Sequence, residues 1–91
     1  MTWQVRHTRT FYKELANLPV EVRNQIEKVA FGEKIKEDPF LSGKAQKLVG
    51  YQEYYRIRFG RYRVGLRIDT ANKIIEFRRV LHRKDIYRQF P

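Results

Sequence analysis

Near the middle of the chain, Tyr55-Arg56-Ile57-Arg58-Phe59-Gly60-Arg61-Tyr62-Arg63 sets aromatic and aliphatic side chains alternately with arginine. On an extended strand, residues two apart share a face, so Arg56 and Arg58 point the same way. Gly60 supplies a tight turn, and a returning strand brings Arg63 beside them. Guanidinium groups gathered on one patch repel one another and therefore call for an anion. A phosphate that gains negative charge in a transition state suits their planar forks. For any one of these arginines a solvated strand face is the ordinary explanation; it is the cluster that favours chemistry. A second stretch, Val80-Leu81-His82-Arg83-Lys84-Asp85-Ile86-Tyr87, adds more cations, a histidine and a phenol near the end of the chain.

Other chemistries find little support. The 91 residues contain no cysteine, so there is no disulfide, thiolate nucleophile or thiolate metal ligand. His7, His82 and scattered carboxylates do not suggest a metal site, and none is expected. There is no Ser-His-Asp pattern, and the five glycines are isolated rather than grouped into a phosphate-cradling loop. No small-molecule cofactor is expected. Charge is the strongest bulk signal: 20 Lys+Arg against 10 Asp+Glu give +10. Residues 1–46 hold eight basic and six acidic side chains, whereas residues 47–91 hold twelve and four. The second half thus reads as an anion-binding surface, for nucleic acid first and for an acidic protein second.

The elements that must position these groups follow from hydrophobic period. The length suits one domain, residues 1–91. Trp3 to His7 alternates as a short strand does. Phe11, Leu15 and Leu18 recur at helical spacing, and Pro19 interrupts them where a second helix can begin. Val22, Ile26, Val29 and Ala30 continue the second helix; Gly32 weakens it and Asp38-Pro39 ends it. A short strand at Lys47-Leu48 is a further candidate. Beyond it the period becomes two. Tyr55, Ile57 and Phe59, then Tyr62, Val64, Leu66 and Ile68, form the apolar side of a hairpin whose other side is cationic. Asp69-Thr70-Ala71-Asn72 makes a second turn. A third strand runs from Ile74 to Leu81, where adjacent Arg78 and Arg79 require a bulge or a strand end. Lys84 to Arg88 closes the chain as a short helix. The expected fold is therefore α+β in β-α-α-β-β-β order: an antiparallel sheet, two N-terminal helices on its apolar face, a short C-terminal helix, and a bare cationic face.

At this point the chain resembles a known family. The Tyr-Arg-Ile-Arg-x-Gly-x-Tyr-Arg hairpin and the closing His-Arg-Lys-Asp-Ile-Tyr are similar to the RelE branch of the RelE/ParE superfamily of bacterial toxins, and the likeness extends over nearly the whole chain. The resemblance implies the same RelE-like fold. It also implies an endoribonuclease that cleaves messenger RNA in the ribosomal A site, inhibits translation, and is silenced by a cognate antitoxin protein wrapped around it. Arg56, Arg58, Arg63, Arg83 and Tyr87 correspond to the family's functional positions. There they assist attack of an RNA 2′-hydroxyl on the adjacent phosphorus without a metal, leaving a cyclic phosphate and a free 5′-hydroxyl.

Physical chemistry refines these roles. A phenol such as Tyr87 takes a proton only where cations stabilise its anion, and Arg83 with the hairpin arginines would supply that field. Some relatives carry lysine at the positions of Arg56 and Arg58. Arginine does not shed its proton, so those positions act here through charge rather than proton transfer. His82, the one neighbour that titrates near neutrality, is then the candidate acid for the leaving oxygen. Arg61 and Lys84 are expected to touch the RNA backbone, and Tyr54, opposite in parity to Tyr55, to offer a base a stacking surface.

Two other readings stay open. A ParE-like toxin would bind DNA gyrase and poison it without cleaving anything, and a plain RNA-binding module would not be toxic at all. No membrane span and no apolar leader is visible, so a cytoplasmic location is expected.

Overall fold

The computed structural model describes residues 2–91 and forms a single five-stranded sheet flanked by helices. Strand β1 (Gln4–His7) leads into helices α1 (Arg9–Ala16) and α2 (Val20–Ala30). A short α3 (Lys34–Glu37) and a 3-10 turn (Leu41–Gly43) precede the two-residue strand β2 (Gln46–Lys47). Strands β3 (Tyr54–Phe59), β4 (Tyr62–Asp69) and β5 (Ile74–His82) follow, and α4 (Arg83–Gln89) closes the chain. The order across the sheet is β1-β5-β4-β3-β2.

The helices form where the apolar spacing places them. Thr8 caps α1: its Oγ1 accepts from the Phe11 N–H at 3.1 Å and donates to the Arg78 carbonyl at 2.8 Å. One hydroxyl therefore starts the helix and fastens it to β5. Pro19 stands immediately before α2, as expected. That helix stops earlier than Asp38-Pro39, the residues expected to end it. The chain turns at Gly32, where a Cβ would come within 2.2 Å of the Lys28 carbonyl oxygen, and only glycine fits.

The helix-facing side of the sheet holds the core. Ile57, Val64, Leu66, Ile68, Ile75, Phe77 and Val80 bury against Phe11, Leu15, Ile26, Ala30 and Ile35. Leu18, Val22, Val29 and Tyr55 are half-buried at its margin. Between β3 and β4 the connection is the two-residue loop Gly60-Arg61, with Gly60 at φ +60°, the position a type II′ hairpin turn assigns to glycine. Arg78 is the extra residue of a bulge: Gly65 pairs with Arg79 and Leu66 with Phe77. Adjacent Arg78 and Arg79 are accommodated in the anticipated way.

Two features differ from expectation. Strand β1 pairs with β5 in parallel, so the sheet is mixed, because the helical crossover returns the chain to the far edge. The cationic face is also only partly bare. Helix α4 lies across it and buries Ile86 and Phe90 there, apart from the main core. No helix among the described residues is long and apolar enough to cross a membrane.

Candidate active site

The register of the β3–β4 hairpin pairs Arg58 with Arg63 and Arg56 with Gly65, so all three arginines project from the outer face. Their surroundings then diverge. Half-buried Arg56 donates from Nη1 to Tyr87 Oη at 2.9 Å, and its guanidinium carbon lies 5.3 Å from the centre of that ring. This one contact joins the first hairpin strand to the last helix. Arg58 is exposed and lines a shallow cleft of about 340 Å3 with Ser42, Gly43, Lys44 and Gln46.

Arg63 departs from expectation. It is 7% exposed, and its Nη1 donates to the carbonyls of Gly60 at 2.7 Å and Tyr62 at 2.9 Å. One nitrogen of its fork thus holds the hairpin turn, and the charge lies beneath the patch. The Nε atoms of Arg56 and Arg63 are both buried with no protein acceptor.

Helix α4 begins on the hairpin itself, because the Arg83 N–H donates to the Arg61 carbonyl at 2.8 Å. Arg83 and Tyr87 are four residues apart, so they stand on one side of the helix, one turn from each other. Both are exposed, as are Arg61 and Lys84. Among the described residues, none of Arg56, Arg58, Arg61, Arg63 and Arg83 forms an ion pair; the arginines that do are Arg67, Arg78 and Arg79. The same residues hold no cluster of three or more histidine, cysteine or carboxylate side chains suited to a metal.

Two further expectations need correcting. His82 pairs with Tyr62 and lies edge-on to that ring at 5.6 Å, on the side opposite Arg56 and Arg58. Its Nδ1 accepts from the Lys84 N–H at 3.2 Å and caps α4. His82 thus caps α4 and does not face Arg56 and Arg58. Tyr54 shares the face of Arg56, but its ring is half-buried, packed nearly edge-on against Phe90 at 5.6 Å rather than standing open.

Some residues that shape the site carried no sequence signal. Lys44 and Gln46 flank Arg58 because β2 pairs Gln46 with Arg56, and a two-residue strand leaves no periodicity to read. Gly65 and Phe90, which meet beneath α4, are an isolated glycine and a penultimate aromatic.

Comparison with known proteins places the chain in a family. Residues 5–87 match the family described as the ParE toxin of type II toxin–antitoxin system, parDE. The chain belongs to this toxin family. Within the wider RelE/ParE group it is similar to Toxin RelE3 of Methanocaldococcus jannaschii, with 40% identity over 91 residues, 97% of this chain and 99% of the relative. Toxin RelG of Mycobacterium tuberculosis is 34% identical over 91 residues, covering 98% of this chain and all of the relative (100%). Among solved structures, the RelB–RelE antitoxin–toxin complex from Methanococcus jannaschii matches with a TM-score of 0.75 and 39% identity, covering 94% of this chain and 99% of that one. The isolated E. coli RelE toxin, at 18% identity and a TM-score of 0.70 over 97% of this chain and 99% of that one, shares the fold.

Proposed function

We propose that this RelE/ParE-family toxin is an endoribonuclease that cleaves messenger RNA in the ribosomal A site and thereby inhibits translation. The observation that carries the proposal is the Arg56–Tyr87 pair, a guanidinium on a phenol oxygen at 2.9 Å, beside cations that no carboxylate neutralises. The nucleophile is the RNA's own 2′-hydroxyl, so no metal-bound water is needed. Tyr87, whose oxygen accepts from Arg56 Nη1, relays the 2′ proton to solvent. The 2′ oxygen bonds to phosphorus, the bond to the 5′ oxygen breaks, and the products are a 2′,3′-cyclic phosphate and a free 5′-hydroxyl protonated from water. Arg56, Arg58 and Arg83 stabilise charge on the phosphoryl and leaving oxygens, while Arg63 adds a buried positive charge below them.

The cleft beside Arg58 is shallow, and a phenol is a weak base. The isolated protein is therefore slow, and the ribosome supplies the alignment. Arg61 and Lys84 contact the backbone of the strand. Related structures are complexes with an antitoxin, and by analogy a cognate antitoxin covers the cationic half of this chain. The protein acts in the cytoplasm, with no small-molecule cofactor.

The decisive experiment incubates the protein with translating ribosomes and maps new mRNA 5′ ends. Arg83→Ala and Tyr87→Phe each lower cleavage by at least about 100-fold while the melting temperature stays within a few degrees. Normal cleavage by both variants overturns the assignment. The family match itself is to a ParE toxin, which keeps a second reading in view: a non-enzymatic, gyrase-binding toxin. Loss of gyrase supercoiling with no RNA cleavage would select it.

A further inference from the structure

We infer that Phe90, seated on the flat backbone of Gly65, is a positioning residue that holds Tyr87 against Arg56. The inference rests on the catalytic reading of Tyr87 given above.

Gly65 lies directly across the ladder from Arg56 on one side and from Arg79 on the other. Its backbone does not need glycine, since the glycines with left-handed φ are Gly43, Gly50 and Gly60. Space explains it instead. A Cβ at position 65 would come within 2.8 to 2.9 Å of three carbons of the Phe90 ring, a separation real Cβ atoms essentially never show. The missing side chain makes a slot on the sheet, and Phe90 fills it.

Phe90 is only 7% exposed, and Tyr54 meets its ring nearly edge-on, at 83°. Ile86, at 2% exposure, is the other apolar anchor of α4. Neither belongs to the main core, so the helix rests on the outer face through these two side chains. Arg79 fastens the helix end: its Nη1 donates to the Gln89 carbonyl at 3.2 Å and its Nη2 to Gln89 Oε1 at 3.1 Å, while Glu14 accepts from Nε and Nη2.

The consequence is geometric. Tyr87 lies in the last turn of α4, and Phe90 follows that helix as its C-cap, its N–H donating to the Ile86 carbonyl at 2.9 Å, so about one turn of backbone links the ring to the phenol. Cross-strand partners such as Arg56 and Gly65 are about 5 Å apart. Seating Phe90 in the slot at Gly65 therefore brings Tyr87 over Arg56. Without the ring, α4 keeps its start at Arg61 but its far end loses its depth stop, and the phenol is free to swing off the guanidinium.

Four variants test this: Phe90→Ala, Phe90→Leu, Gly65→Ala and the double variant Gly65→Ala/Phe90→Ala. Each is assayed for kcat and KM in ribosome-dependent cleavage, for melting temperature, and for the nuclear Overhauser effect between the Tyr87 ring and the Arg56 side chain. Phe90→Ala should lower kcat about 100-fold and leave KM within about two-fold, with the Tyr87–Arg56 effect lost. Phe90→Leu, which refills the slot, should recover most of both. Gly65→Ala should resemble Phe90→Ala, and the double variant should be no worse than Phe90→Ala alone, because the two residues act through one contact. Retention of the Tyr87–Arg56 effect and of kcat in Phe90→Ala overturns the inference, as do losses that multiply in the double variant. If the wild-type protein cleaves no RNA, the catalytic reading fails; the magnetic resonance measurement still decides whether Phe90 positions Tyr87.

Discussion

The arginines of the second half fall into two groups that the sequence does not distinguish. Arg67, Arg78 and Arg79 each meet a carboxylate: Glu53 at 2.9 Å, Glu76 at 2.6 Å and Glu14 at 2.7 Å. Arg56, Arg58, Arg61 and Arg83 meet none among the described residues. The first group ties elements together. Arg79 in particular donates to both oxygens of Glu14, and Glu14 Oε1 also accepts from the Val80 N–H at 3.0 Å, where β5 extends past the end of β1. That hydrogen-bonded pairing with Glu14 holds the Arg79 guanidinium above its ordinary pKa. The second group gathers around the Gly60 turn and the start of α4 and keeps its charge for something outside the chain. Net charge alone misleads here, because a paired arginine is a strut and an unpaired one is a binding group.

Alanine substitution should separate the groups by which property fails. Arg56→Ala removes a donor from Tyr87 and from the phosphate, and should cut ribosome-dependent cleavage by about 100-fold with little change in melting temperature. Arg79→Ala should do the reverse. It leaves Glu14, whose side chain is 19% exposed, without its cation. The expected loss is about 2 kcal/mol of stability, or about 10 °C in melting temperature for a domain this small. Cleavage per folded molecule should fall far less than in Arg56→Ala. Equal melting temperatures for the two variants would dissolve the distinction between strut and binding group.

Hydrophobic period made much of the fold legible. The alternation from Tyr55 to Ile68 specified the hairpin, its two faces and its turn, and the adjacency of Arg78 and Arg79 called for a bulge or a strand end, of which the structure has the bulge. What the bulge does to everything after it was harder to see. One inserted residue reverses side-chain parity, so Val80 and His82 share the helix-facing side, and His82 turns away from the arginines it follows. Arg63 was placed on the correct face, but its burial depends on carbonyls of its own turn that strand parity does not report. The docking of α4 was invisible for a different reason. It depends on a ring fitting over a missing side chain, a match between positions 65 and 90 that no local pattern encodes. Burial of Tyr54 follows from that docking.

The smallest effect belongs to the far end of the sheet, where the carboxylates are tied down locally. Asp69 accepts from the Asn72 N–H at 3.1 Å and from its side-chain amide at 2.9 Å, which closes the β4–β5 turn. These bonds from Asn72 hold the Asp69 carboxyl below its usual 3.8, with a lesser contribution from the nearby Arg67 charge. A carboxyl whose pKa is depressed in the folded state contributes stability above its unfolded value and loses it as pH falls through the folded value. Asn72→Ala should therefore melt slightly below the wild type by a constant margin above about pH 5, and the margin should close as pH drops below about 4. Because Asp69 sits beside the paired Arg67 and away from Arg56 and Tyr87, the variant should cleave RNA at the wild-type rate at neutral pH. A margin that persists unchanged to about pH 2 would show that the Asn72 contacts do not depend on the ionised carboxylate. A cleavage defect would show instead that the two ends of the sheet are coupled, and that the division between the two groups of arginines is too sharp.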